Sequence, residues 1–242
     1  VAVYFNSVKW NRVLIDVCTQ RDFLTPGAIL QVANLDELIP NLRKVLGWAR
    51  SARLPIVSSV ESHRPSEPSN GFPMQCIDGT AGQEKVGFTL LSPWVLVETD
   101  NYLSLPPDLR RNYRQLIFRK RTRDVLSNPK ADHFLTQLKA DEFIVFGVGL
   151  ERAVKALALG LLARHKTVAV ISDACGYWSA ADAELAARQL AAKHIRIVTT
   201  SEITAPEPPR KRITTRRRRA RHRTHSSRLG SARRSRGNLA ER

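Results

Sequence analysis

Glu142 to Ser172 reads EFIVFGVGLERAVKALALGLLARHKTVAVIS. Its opening, EFIVFGV, is nearly all apolar, as in a strand covered on both faces. Leu150 to Arg164 then reads as a helix, and Thr167 to Ser172, TVAVIS, as a second apolar strand. Strand, helix, strand in this order is the unit of a parallel sheet, because parallel neighbours need a crossover between them.

The same alternation extends outward in both directions. Upstream, Arg12 to Val17 (RVLIDV) and Pro55 to Val60 (PIVSSV) are short apolar strands. Between them, Leu35 to Ala52 places Leu35, Leu38, Ile39, Leu42, Val45, Leu46 and Ala49 at helical spacing, with Pro40 expected to kink or delay the start. Trp94 to Glu98 is a short extension strand, and Gln115 to Arg119 (QLIFR) a further main strand. Asn128-Pro129 opens a helix running to about Leu138, with Asn as cap and Pro in the first helical position. Downstream, Ser179 with Asp182 forms an acidic variant of the capping box, opening a helix to about His194 before a last strand, Ile195 to Val198. These segments predict an α/β fold with a mostly parallel sheet of about six strands, covered on both faces. Ligands of such sheets bind beyond the carboxyl ends of the strands. Asp16, Glu61, Lys120, Gly149 and Asp173 fall at or just past those ends.

Charge divides the chain in two. The whole carries 39 Lys and Arg against 22 Asp and Glu, a net +17. From Thr204 to Arg242 there are 14 Lys and Arg against two acids, which leaves the body mildly basic. Residues 204–242 have few apolar side chains and no periodicity, so they are expected to form a disordered Arg-rich tail beyond a domain of residues 1–203. The tail could attract nucleic acid non-specifically through phosphate neutralisation, but it lacks interleaved aromatics and a recognition motif. No apolar run is long enough to span a bilayer, so no membrane partner is expected. Val1 to Trp10 lacks the layout of a secretion signal. Cys18, Cys76 and Cys175 are odd in number and widely spaced, which argues for free thiols and a reducing, cytoplasmic setting.

Four segments in order carry a family resemblance. They are Val13 to Phe23 (VLIDVCTQRDF), Ser58 to Pro65 (SSVESHRP), Phe72 to Glu84 (FPMQCIDGTAGQE) and Phe146 to Gly160 (FGVGLERAVKALALG), the last followed by TVAVISDA. The first resembles a strand ending in Asp with a DF pair after it, here with a slightly longer loop. The second is similar to a D-x-H-P region, with one extra residue before the proline. The third is similar to P-x-H-C-x-x-G-T-x-G-x-E, and the fourth to the nucleophile turn G-V-x-T-x-x-C-V. Together they resemble the isochorismatase/nicotinamidase superfamily of cysteine hydrolases, over roughly Arg12 to Ile203.

The resemblance implies a Rossmann-like, three-layer α/β/α hydrolase fold acting on small amides or related substrates, often as a dimer or tetramer. It implies Asp16 as general base, Lys120 as support for a thiolate, and position 153 as nucleophile. Phe23, Gly149 and Leu150 would line the oxyanion and substrate pocket, with a cis peptide in that turn. Position 153, however, is Ala, and Leu150 replaces the usual Thr. A methyl group has no lone pair, so no thioester can form there, and loss of such a nucleophile costs several orders of magnitude in rate. The implied metal ligands are Asp, His and His; Glu61, His63 and Gln75 stand in their places. A neutral amide is a poor ligand for zinc or iron. No cofactor is required by this reading, and any divalent metal is expected to bind weakly.

Plainer roles compete with these. Asp16 could cap a neighbouring loop, Lys120 could be a solvated member of its basic run, and His63 could be a loop histidine. Cys18 or Cys175 could replace the missing thiol only by reaching a substrate positioned for residue 153. The sequence therefore leaves three expectations: an impaired hydrolase that keeps a ligand pocket, a working hydrolase using water activated by Asp16 or a displaced thiol, or a scaffold whose basic tail makes the contacts.

Overall fold

The computed structural model describes residues 10–67, 72–100, 103, 105 and 107–205. All of the expected tail beyond Ala205 lies outside the described residues, as do the first nine. Seven strands form one sheet: β1 Trp10–Val17, β2 Ile56–Glu61, β3 Trp94–Val97, β4 Gln115–Lys120, β5 Ala140–Val148, β6 Val168–Gly176 and β7 Arg196–Val198. They are ordered β3-β4-β2-β1-β5-β6-β7 and every neighbouring pair is parallel. The helices are α1 Arg21–Leu24, α2 Leu35–Ser51, α3 Pro107–Asn112, α4 Pro129–Gln137, α5 Lys155–Ala163, α6 Ala180–Ala192 and α7 Thr200–Thr204. Helices α2 and α7 pack together against β6, while α5 packs on β6 and against α6. Parallel crossovers that leave β1 towards β2 and β5 towards β6, on opposite sides of the sheet's centre, place their helices on opposite faces when they share the usual hand, which gives the three layers.

The sheet has seven strands rather than about six because Trp94–Val97 pairs with β4 along its whole length, from Trp94 opposite Gln115 to Val97 opposite Phe118. Four residues carry too little pattern to rank as a main strand. Central β1 is buried from Val13 to Val17, and β5 from Phe143 to Val148, as expected of strands with both faces covered.

The caps follow the sequence. The Asn128 side chain accepts from the Lys130 N–H at 3.0 Å, with Pro129 next to it in the first turn. Ser179 Oγ accepts from the Asp182 N–H at 3.2 Å. Pro40 does not delay α2, which starts at Leu35 and runs through it. The carbonyl that Pro40 leaves without its helical donor belongs to Asp36, on the exposed side where water can reach it. The helix read from Leu150 begins instead as a wide turn, Leu150–Val154, in which the Val154 N–H reaches back to the Gly149 carbonyl at 3.1 Å. Such wide turns are frequent at functional sites.

Candidate functional site

The strand order reverses at β1, which has β2 on one side and β5 on the other. Beyond the carboxyl ends of these strands lies a cavity of about 360 Å³. Phe23, Glu61, His63, Gln75, Gly149 and Ala153, six residues singled out from the sequence, all line it. Its lining mixes apolar side chains, Phe23, Phe72, Met74, Val148 and Trp178, with the charged Glu61, His63, Glu67 and three arginines.

The Val148–Gly149 peptide bond is cis, as the resemblance implied. A Cβ on Gly149 would come within 2.4 Å of the Trp178 ring, so glycine there lets the indole close on the cavity wall. Trp178 is held by its indole N–H, which donates to the Leu30 carbonyl at 3.0 Å, and by Phe23, edge-on at 5.8 Å. Ala153 follows on the wide turn and presents its methyl to the cavity. Leu150 is buried and does not line the cavity, against expectation: it is the first residue of the wide turn and packs into the core.

Lys120 ends β4 and is fully buried directly behind the cavity wall. Its ammonium donates to Glu61 Oε1 at 2.7 Å and to the carbonyls of Thr122 and Arg123 at 3.0 and 3.2 Å. Burial alone would lower its pKa, but the Cys18 sulfur and the Glu61 carboxylate outweigh that and hold it above the ordinary lysine value. Burial alone would raise Glu61; Lys120 and His63 instead hold its carboxyl down at about 2. The carboxylate facing Lys120 is therefore Glu61, a residue expected to be a metal ligand.

Asp16 does not line the cavity. It lies inside the sheet, opposite Ser58 of β2 and Phe146 of β5. Its Oδ2 accepts from Lys85 Nζ at 2.8 Å, Thr19 Oγ1 at 3.1 Å and Ser58 Oγ at 3.3 Å. Its Oδ1 is buried without a hydrogen-bond partner among the described residues; β1 ends one residue further on, and the chain turns at Cys18, whose φ is +50°. Cys18 Sγ is 3.8 Å from Glu61 Oε1 and 3.7 Å from Ser59 Oγ. Burial pushes its thiol up to about 11.

Two further residues act in positioning: Gln20, which the sequence did not single out, and Asp22, which it read only as part of the DF pair. The Gln20 side chain accepts from the Glu61 N–H at 2.7 Å and donates to the Glu61 and Gln83 carbonyls at 2.9 and 2.8 Å, which fixes the backbone that carries Glu61. Asp22 Oδ2 accepts from the Cys76 N–H at 2.6 Å and ties down the loop bearing Gln75.

The expected metal ligands do share one cavity, but their contacts do not suit a divalent cation. Lys120 already neutralises Glu61. His63 Nε2 faces Glu61 Oε2 at 3.6 Å, an ion-pair distance too long for a hydrogen bond, and Nδ1 faces Glu67 Oε2 at 3.1 Å. Both ring nitrogens face carboxylates, as an imidazolium does, and the nearby Glu61 carboxylate, with Glu67, pulls the His63 pKa upward against the effect of burial. Among the described residues no group of three or more His, Cys, Asp or Glu could hold a metal ion. The side chains present do not fit zinc or iron.

Residues 13–203 match the isochorismatase domain. No curated protein sequence matches the chain. Among solved structures, the fold is similar to the zinc-bound pyrazinamidase of Pyrococcus horikoshii, with 24% identity and a TM-score of 0.62 over 78% of this chain and 99% of that one. It is also similar to a nicotinamidase/pyrazinamidase from Bacillus subtilis, at 13% identity and a TM-score of 0.63 over 78% of this chain and 99% of that one. An isochorismatase-like hydrolase from Alkaliphilus metalliredigens gives 19% and 0.61 over 80% of this chain and 97% of that one. At these identities the solved structures speak for the fold alone, whereas the domain match spans most of the sequence. The chain belongs to the isochorismatase family.

Proposed function

We propose that this protein binds a small organic ligand in the cavity beyond β1, β2 and β5 and does not perform thiol-based amide hydrolysis. The observation that carries the reading is Ala153: its methyl lines the cavity on the turn that the family resemblance assigns to the nucleophile. Without a lone pair there is no acyl-enzyme. The chain's own thiols do not replace it. Cys18, Cys76 and Cys175 are buried, none lines the cavity, and burial pushes each thiol pKa up, away from thiolate.

Water activation lacks a suitable base. Asp16 is engaged by Lys85 away from the cavity wall. Glu61 lines the cavity, but a carboxyl held near 2 is a weak base at neutral pH. The pocket keeps what ligand binding needs: aromatic and aliphatic side chains lining one concavity together with charged and polar groups.

The test pairs turnover with binding. Purified protein is incubated with nicotinamide, simple amides and isochorismate-like compounds while ammonia or product release is followed, and the same compounds are titrated by calorimetry. Release at the blank rate together with saturable binding of at least one compound is expected. Turnover well above the blank overturns the reading.

The same reading carries three secondary proposals. The protein works as a homodimer or tetramer, as its family often does. It resides in a reducing, cytoplasmic setting, which its three free cysteines support. The basic tail adds only a salt-sensitive, non-specific attraction to nucleic acid, supported by its 14 Lys and Arg. No helix among the described residues is long and apolar enough to cross a membrane.

A further inference from the structure

The charges around the cavity match in pairs, with a remainder. Glu61 faces Lys120 at 2.7 Å. Glu67 faces His63 at 3.1 Å and Arg121 at 3.4 Å. Asp78 faces Arg121 at 3.0 Å and Arg119 at 3.6 Å. Arg152 and Arg123 also line the cavity, and neither has an ion-pair partner among the described residues.

Arg152 is placed rather than free. Its guanidinium carbon lies 3.5 Å over the Phe72 ring and 5.3 Å from the Trp178 ring. A guanidinium stacked by its face keeps its N–H donors in the plane, available edge-on to a ligand. Partial burial, then the neighbouring Arg123 charge, push its pKa down, with Glu151 and Glu61 acting the other way. Glu151 forms no ion pair with Arg152; its Oε1 accepts from the Trp178 N–H at 2.8 Å. Two like charges held at one cavity wall repel, and an anion between them would remove that cost.

We propose that the cavity takes a small planar monoanion, an aromatic carboxylate, with its charge received between Arg152 and Arg123 and its ring against the apolar lining. This rests on the reading that the cavity is a ligand pocket. The lining by Phe23, Phe72, Met74 and Trp178 suits a ring. Glu61 and Glu67 line the same cavity and oppose a second negative charge, which disfavours a phosphate dianion.

Benzoate and benzamide have one ring and one shape and differ in charge, so they are the probes, with inorganic phosphate as a third arm. The full chain is titrated with each by calorimetry at neutral pH and low salt. Benzoate is expected to bind at least tenfold tighter than benzamide, with that preference lost in Arg152→Gln and reduced severalfold in Arg123→Gln. Arg123 is exposed, so its variant will fold even where the other does not. Benzamide binding as well as benzoate overturns the charge assignment and leaves the pocket reading standing. Phosphate binding as tightly as benzoate overturns the ring carboxylate. Benzoate binding that is unchanged in Arg123→Gln places the anion elsewhere and overturns the proposal. Failure of all three probes to bind overturns the inference, while saturable binding of an amide in the turnover assay would still keep the pocket reading.

Discussion

Lys120 Nζ sits 2.7 Å from Glu61 Oε1, so the buried ammonium at the end of β4 is matched by the carboxylate at the end of β2, directly across the strand register. Both charges are out of bulk water, and each depends on the other for compensation. Glu61 therefore has two consequences for the molecule: it supplies polar surface to the cavity, and it makes the burial of Lys120 tolerable.

That pairing predicts an acid-labile stability term. The Glu61 carboxyl is held at about 2, against 4.5 for an ordinary glutamate. Its folded pKa is depressed, so its contribution is present above pH 4.5 and is lost as pH falls towards 2. The difference corresponds to about 3 kcal/mol. Glu61→Gln should lose this at neutral pH and show a shallower fall in stability over the same acid range. Chemical denaturation of both proteins from pH 5 to 2 checks it; parallel curves sink the idea.

Asp16 is predicted to be a stability residue. Asp16→Asn leaves Lys85 buried without its anion, and breaking one side of such a pair costs about 3–5 kcal/mol. The Lys85 side chain is 3% exposed, so relaxation into water offers little relief. The midpoint in urea should fall sharply, while ligand affinity of the folded fraction stays within about twofold of wild type. Lost affinity at unchanged stability would return Asp16 to the site.

Much of this was legible because it rests on period and order. Apolar runs with helices between them gave the parallel sheet, and Asn128-Pro129 and Ser179 gave true helix caps. The turn at Gly149 and the location of Ala153 followed from a motif on a strand end. What escaped was the partner of each charge. Cys18 follows Asp16 by two residues, just past the end of β1, and only the turn at Cys18 decides which of them meets Lys120. Lys85 is 69 residues from Asp16 in sequence, on a segment without periodicity, so no local pattern announces the pair. Gln20 was invisible for a similar reason, since its amide bonds to backbone groups that any residue would present.

Ala153→Cys should create a reactive thiol in the native state. The three natural cysteines are buried, and none lines the cavity, so iodoacetamide should modify the wild type slowly. The variant should take up one equivalent at least tenfold faster, with protection by a saturating cavity ligand. Mass spectrometry of native protein over time measures this. A labelling rate equal to wild type would mean that residue 153 does not face an accessible cavity.

Gly149→Ala tests whether the turn at Gly149 and the Trp178 indole share one wall. An added Cβ meets Trp178 Cζ3 at 2.4 Å, well inside contact distance, so either the ring or the turn must move. Moving the ring breaks the bond from its indole N–H to Leu30, made at 3.0 Å, and disturbs the stack beneath Arg152. Overpacking of this kind costs about 1–3 kcal/mol. The variant should fold with a lowered midpoint, show an altered tryptophan emission spectrum, and lose ligand affinity by more than about tenfold, since about 1.4 kcal/mol of misplacement at the cavity is enough for that. Gly147→Ala is the contrasting case. Its Cβ would meet the Val17 carbonyl oxygen at 2.1 Å with φ at +119°, which strikes the β5–β1 seam itself and should abolish folding rather than reshape the pocket. Equal behaviour of the two variants would show that Gly149 serves the sheet and not the cavity wall.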